Sequence, residues 1–334
     1  MLFMNELEFA YLAGYIDGDG CFCVGTAIQK PKGILVFEYS IQISSTDKQI
    51  LNHFTNIFGG FINFRRDKRI DRRECHVWTV KTKSALLVCQ KIERFLVLKT
   101  TQCNRMYLLG NMIKPSRGFV IDQVTLNIRH ELIRQIKQEI HMTNLITEKD
   151  FRKMKKVKKT FDPSEENLAY LAGLIDAEGC LRITSHDVNR TGRSRSYVAT
   201  LEIGNTRLPI FQWLLERFGG TITYRAPTNR NHNPMIIWSL RSRKLYNLLF
   251  KIQKYLRVKK ERCEKLLELE KTTLKIGGNR KTGQYRCHVE QILSKRESIF
   301  QELKLLNAKG KHWLSSSLWL PWAMQPLGFP WCSG

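Results

Sequence analysis

Two acidic residues sit in nearly identical surroundings. Asp19 lies near the end of AYLAGYIDGDGCF (10–22), and Glu178 near the end of AYLAGLIDAEGCL (169–181), phrases that agree at nine of thirteen positions. In each, an apolar run carries small residues four apart, Gly14 with Gly18 and Gly173 with Ala177. On a helix such residues share one face and let two backbones approach closely. If the two helices pack on each other, Asp19 and Glu178 stand side by side at their C-terminal ends. A helix C-terminus already carries about half a negative charge, so two carboxylates there repel each other and lose water. A divalent cation relieves that arrangement, and hard oxygen ligands suit Mg²⁺. Asp17 and Asp176, two residues earlier, project to another side and read as structural hydrogen-bonding groups.

The elements that must hold these acids repeat as well. IQISSTDKQILNHFTNIFGGFI (41–62) aligns with LEIGNTRLPIFQWLLERFGGTI (201–222), Trp78 with Trp238, and KIERFLVLK (91–99) with KIQKYLRVK (251–259). Repeats of this length are whole domains. We place the first at 6–115, a basic helical linker at 116–163, the second repeat at 164–275 and a C-terminal extension, partly disordered or docked, at 276–334.

Each repeat opens with a helix. In the second, Asp162, Pro163 and Glu165 read as N-cap, first-turn proline and capping-box acid. Gly20 and Gly179 read as the left-handed residues that end the motif helices. LVFEYSIQIS (35–44) alternates apolar with polar, as a half-buried strand does. A helix over 46–58 leads through FGG into a second hairpin, 61–68 and 74–81, and a further helix starts near 84. The order is αββαββα, twice: an α+β fold with antiparallel sheets and the motif helices at a pseudo-twofold interface.

The chain has 334 residues and a formal net charge of +25, with a sequence pI near 9.8. That bias points to a polyanionic partner, most often nucleic acid. In KDFRKMKKVKK (149–159), seven of eleven residues are Lys or Arg. The start, MLFMNELEF, lacks the pattern of a secretory signal, and no apolar run is long enough to span a bilayer. Nine scattered cysteines, CFC (21–23) among them, lack the spacing of a zinc site and read as free thiols in a reducing compartment. NRNHN (229–233) only hints at an HNH pattern. The Trp- and Pro-rich end, 312–334, shows no period.

LAGYIDGDG (12–20) and LAGLIDAEG (171–179) resemble the two motifs of a single-chain LAGLIDADG homing endonuclease, a resemblance that extends over about 6–265. It implies a monomer whose saddle-shaped sheets lie over the DNA major groove. It implies cleavage of both strands across the minor groove, leaving 3′ overhangs. By position, Asp19 and Glu178 would bind the metals, Mg²⁺ with Mn²⁺ as a substitute, and the carbonyls of Gly18 and Ala177 would add further contacts. Lys99 and Lys259 would stabilise charge near the reacting phosphate. Ser45 and Asn205 stand where a polar residue organises water, although Ser45 is shorter than the usual Gln. Phosphodiester hydrolysis needs an activated water, neutralised nonbridging oxygens and a stabilised 3′ oxygen, and metals between opposed carboxylates supply all three.

The polar alternates of the strands are then the candidates to face DNA: Glu38, Ser40, Gln42, Asn63, Arg65, Thr79 and Lys81 in the first repeat. In the second they are Thr200, Glu202, Thr223, Arg225, Ser239 and Arg241. Arg can read guanine, and Gln or Asn adenine, by paired hydrogen bonds. Because the two sets differ, the target should be asymmetric or only roughly palindromic. Phe64, Trp78, Val80, Tyr224, Trp238 and Leu240 read as core. Alternatives of the same fold are a maturase that binds its host intron RNA and a DNA-binding regulator without catalysis. Family members of this size commonly reside in organelle introns, which implies a chloroplast or mitochondrion, with a cytoplasmic location otherwise.

Overall fold

The computed structural model describes residues 6–29, 34–65, 75–113, 122–141, 147–154, 157, 164–187, 195–227, 233–273 and 283–308. The first repeat comprises helix α1 (Glu6–Asp19), strands β1 (Gly20–Gln29) and β2 (Ile34–Ser45), helix α2 (Lys48–Phe58), strands β3 (Phe61–Arg65) and β4 (Cys75–Lys81), and helices α3 (Thr82–Ile92) and α4 (Thr100–Met112). Helices α5 (Gln123–His141) and α6 (Glu148–Met154) connect the repeats. The second comprises α7 (Glu165–Glu178), β5 (Gly179–Asp187), β6 (Arg195–Asn205), α8 (Leu208–Phe218), β7 (Thr221–Arg225), β8 (Met235–Arg241), α9 (Ser242–Ile252) and α10 (Lys260–Thr273). Helix α11 (Gly283–Ala308) follows.

The αββαββα plan therefore stands twice. Each half holds one antiparallel four-stranded sheet, in the orders β1-β2-β4-β3 and β5-β6-β8-β7. The registers match: Ile43 pairs with Trp78 as Ile203 pairs with Trp238. One face of each sheet is apolar, with Phe22, Ile41, Ile43, Trp78 and Val80 buried in the first and Leu181, Leu201, Ile203, Trp238 and Leu240 in the second. Each tryptophan also donates its indole N–H to the carbonyl of the first glycine of the FGG turn, Trp78 to Gly59 at 2.9 Å and Trp238 to Gly219 at 2.7 Å. These turns need glycine, because Gly59, Gly60, Gly219 and Gly220 all have φ between 68° and 90°.

The seam is the α1–α7 pair. A Cβ on Gly14 would fall 1.9 Å from the Tyr170 carbonyl oxygen, and one on Gly173 2.0 Å from that of Tyr11. Farther along the stripe, a Cβ on Gly18 would meet the Ala177 methyl at 2.5 Å. The backbones thus touch along the predicted faces, and a buried cluster continues through both repeats.

Local details differ from expectation. The N-cap of α7 is Ser164, whose hydroxyl accepts from Asn167 N at 3.3 Å, and Asp162 and Pro163 lie outside the described residues. Gly20 and Gly179 are not left-handed caps: Gly179 is extended, at φ −70° and ψ 142°, and both open a strand. They are glycine because a Cβ would lie 2.7 Å and 2.8 Å from the Cα atoms of Ile16 and Ile175. The helix turns directly into the strand there, with no room for a side chain. Phe64 is 53% exposed and meets His76 edge to face, outside the core assigned to it, because β3 is the sheet edge.

Tyr224 is half-buried and meets Phe151 of α6, so the basic connector docks through an apolar residue. The extension contributes α11, which buries Ile299 and Leu303 and donates from Asn307 to the Leu181 carbonyl at 3.0 Å. Residues 229–232 and 309–334 lie outside the described set. Among the described residues no helix is long and apolar enough to cross a membrane.

Candidate nuclease centre and nucleic-acid face

The seam delivers Asp19 and Glu178 to neighbouring helix ends. Burial raises both carboxyl pKa values above their ordinary range, and the charge of Asp19 raises that of Glu178 further. Lys99 and Lys259 act on both acids in the opposite direction. The acids are therefore close enough to resist joint ionisation, as two carboxylates in one site do.

The lysines are held with matching geometry. Lys99 Nζ donates to the carbonyls of Ile16 at 2.6 Å, Gly20 at 2.7 Å and Gly18 at 3.4 Å. Lys259 Nζ donates to Ile175 at 2.6 Å and Ala177 at 3.3 Å. Each ammonium thus caps a motif helix, neutralising its negative end. Burial lowers the pKa of both amines, that of Lys259 to about 8. The expected repulsion between carbonyl ends is consequently met by lysine, while the two carboxylates remain to be compensated. Gly18 and Ala177 keep a second lone pair on their carbonyl oxygens.

Asp17 and Asp176 explain how the lysines are placed. Asp17 accepts from the backbone N–H of Val97, Leu98 and Lys99 at 2.7, 3.0 and 3.0 Å and from the Tyr170 hydroxyl of the other half at 2.6 Å. Asp176 accepts from Arg257, Val258 and Lys259 at 2.7, 3.1 and 2.8 Å and from Tyr11 at 2.7 Å. Each buried carboxylate therefore ties its own half's lysine loop to the opposite motif helix. This is the structural role read for them from sequence.

Ser45 and Asn205 end β2 and β6, and their side-chain oxygens accept from the backbone two residues on, Asp47 N at 3.1 Å and Arg207 N at 3.0 Å. The Tyr15 hydroxyl also reaches Ser45 at 3.4 Å.

On the non-core sheet faces the polar alternates share one side, as the registers require. Glu38, Asn63, Arg65, Lys81, Thr223, Arg225 and Arg241 are exposed, and Gln42 is half-buried. Glu38, Ser40, Gln42 and Lys81 line one trough of about 670 Å³. Four residues differ from the expected outward groups: Ser40, Thr79, Thr200 and Ser239 are only 6%, 3%, 2% and 6% exposed. Their short side chains lie on central strands between longer neighbours, so they floor the face. Glu202 is mostly covered and ion-paired with Arg182 at 2.5 Å. Arg182 itself escaped the sequence reading, because β5 follows its motif helix without a break. So did Thr82 and Ser242, whose φ values of 54° and 55° mark the two equivalent strand-to-helix corners beside Lys81 and Arg241.

A search of known families and structures places this geometry. Residues 12–113 match the family described as LAGLIDADG endonuclease. That match spans most of the first repeat, which is similar to a LAGLIDADG endonuclease domain. The second reproduces its fold, strand order and lysine cradle. The chain is similar to I-SmaMI bound to an uncleaved DNA target in the presence of calcium ions, with TM-score 0.61 and 10% identity over 89% of this chain and 98% of that one. It is similar to the LAGLIDADG homing endonuclease I-LtrWI bound to target DNA, with TM-score 0.59 and 16% identity over 89% and 98%. I-SmaMI bound to cleaved DNA gives TM-score 0.57 and 11% identity over 92% and 98%. These likenesses establish the two-domain LAGLIDADG fold. No curated protein matches the chain in sequence.

Proposed function

We propose that this LAGLIDADG chain is a site-specific endonuclease that acts as a monomer and makes a metal-dependent double-strand break in a long, asymmetric or pseudo-palindromic DNA site. The observation that carries the reading is the convergence of Asp19 and Glu178 at the ends of two helices in backbone contact. Loss of either acid would mark a binding-only regulator or maturase, and both are present. The solved DNA complexes of similar fold support DNA as the partner.

The residues fit a hard divalent cation. The Asp19 charge raises the pKa of Glu178, and the lysines that could neutralise the pair already serve the helix ends. Asp19 and Glu178 would hold Mg²⁺, with the Gly18 and Ala177 carbonyls beside them. The bound ion would polarise the phosphate and lower the pKa of a water. Lys99 and Lys259 would stabilise charge on the phosphate of each strand, and Ser45 and Asn205 would order water at the strand ends. The sheets would lie in the major groove, so the break would cross the minor groove and leave 3′ overhangs.

Cleavage of a randomised duplex library tests the reading. One recurrent cut sequence is expected, and binding without cutting would favour the regulator. On the selected duplex, Arg65→Ala and Arg225→Ala are each expected to relax preference at one or two base pairs, at roughly 1–3 kcal/mol per base contact. Reselection by the variants measures this. Uniform weakening across sequences would instead assign these arginines to phosphate.

A further inference from the structure

The two halves are not electrostatically alike. With the repeats aligned at an offset of 160, Ser45-Thr46-Asp47 faces Asn205-Thr206-Arg207. Asp47 is the N-cap of α2 and accepts from Gln49 N at 2.8 Å. Arg207 occupies the same position before α8 but makes no side-chain cap. Its guanidinium instead donates to the Glu139 carbonyl of α5 at 3.3 Å.

Arg207 belongs to the second repeat by sequence and faces the lysine of the first. It lines a cavity of about 450 Å³ together with Leu98, Thr101 and Gln102, the residues flanking Lys99, and with Glu139, whose carboxylate is paired with Arg105. Gln102 is 4% exposed. The cavity therefore brings a guanidinium, a hydroxyl and an amide beside Lys99. A guanidinium beside an ammonium suits a phosphate oxygen.

We propose that Arg207 binds a backbone phosphate on the Lys99 side of the site and makes the strand held there the first to be cut. This rests on the nuclease reading above. In the hydrolysis, the oxygen of water bonds to phosphorus and the bond from phosphorus to the 3′ oxygen breaks. That oxygen takes up a proton, which leaves a 3′ hydroxyl and a 5′ phosphate. Negative charge grows on the phosphate during this step, and a fixed guanidinium stabilises it. Asp47 presents a carboxylate in the matching place of the other half, which opposes the same charge.

The test uses the full chain and a duplex taken from the cleaved library, each strand carrying its own fluorophore. The wild type is expected to pass through an intermediate nicked in one strand. Arg207→Ala should slow that strand roughly ten- to a hundredfold and leave the other within about twofold, with Arg207→Lys partly restoring it. Asp47→Asn, which keeps an N-cap side chain, should quicken the slow strand. Equal slowing of both strands by Arg207→Ala, or no slowing at all, would overturn the proposal while leaving the nuclease reading intact. A wild-type protein that cuts no library member would overturn the nuclease reading itself.

Discussion

Asp19→Asn and Glu178→Gln are each expected to lower cleavage of the selected duplex by about a thousandfold or more while leaving its affinity within a fewfold. The substitutions keep size and hydrogen-bonding capacity and remove only a charge. In a site built on two opposed carboxylates, losing one removes the anionic ligand of a cation and the balance it gives the lysines. Effects of 10² to 10³ follow removal of single electrostatic groups at reacting centres, and a metal ligand should exceed them. Binding should survive, because Arg65, Lys81, Arg225 and Arg241 lie on the sheets. Binding in the presence of chelator and cleavage with Mg²⁺ separate the two effects. Normal cleavage by both variants would remove the acids from the mechanism.

The second large effect concerns the seam. Gly14→Val is expected to destabilise the protein by more than about 3 kcal/mol, beyond the usual cost of overpacking, because the new Cβ would lie 1.9 Å from a backbone oxygen that cannot step aside. The helices would have to separate, which also strains the Tyr170 bond to Asp17 and the Tyr11 bond to Asp176. Gly25→Val is the control, since a Cβ there meets nothing within 4 Å. Urea denaturation reads both. Equal midpoints for the two variants would mean that the α1–α7 packing is not the stabilising seam.

Much of this was legible because duplication makes small signals additive. The stripe of Gly14, Gly18, Gly173 and Ala177 announced a helix contact, and the alternation of β2 announced its buried face. Asp17 and Asp176 were separable from Asp19 and Glu178 because residues two apart on a helix project to different sides.

What escaped reading depends on three-dimensional crowding. Gly20 and Gly179 follow a helix as caps do, and only the nearness of Ile16 and Ile175 shows that they are glycine for want of space. Ser40, Thr79, Thr200 and Ser239 alternate as outward residues do, yet central strands and longer neighbours cover them. Phe64 alternates as core and is exposed at an edge. Arg207 lay unnoticed because nothing local links it to Lys99, more than a hundred positions away.

The most direct test of the central claim, that the two motif acids form one metal-dependent cutting site, is strand scission of the library-selected duplex by the purified wild-type chain with Mg²⁺, with Mn²⁺ and with chelator alone. We predict a double-strand break at one position with either ion, with 3′ overhangs, and none with chelator. Undiminished cutting in chelator, or no cutting with either ion by protein that binds the duplex, would contradict it.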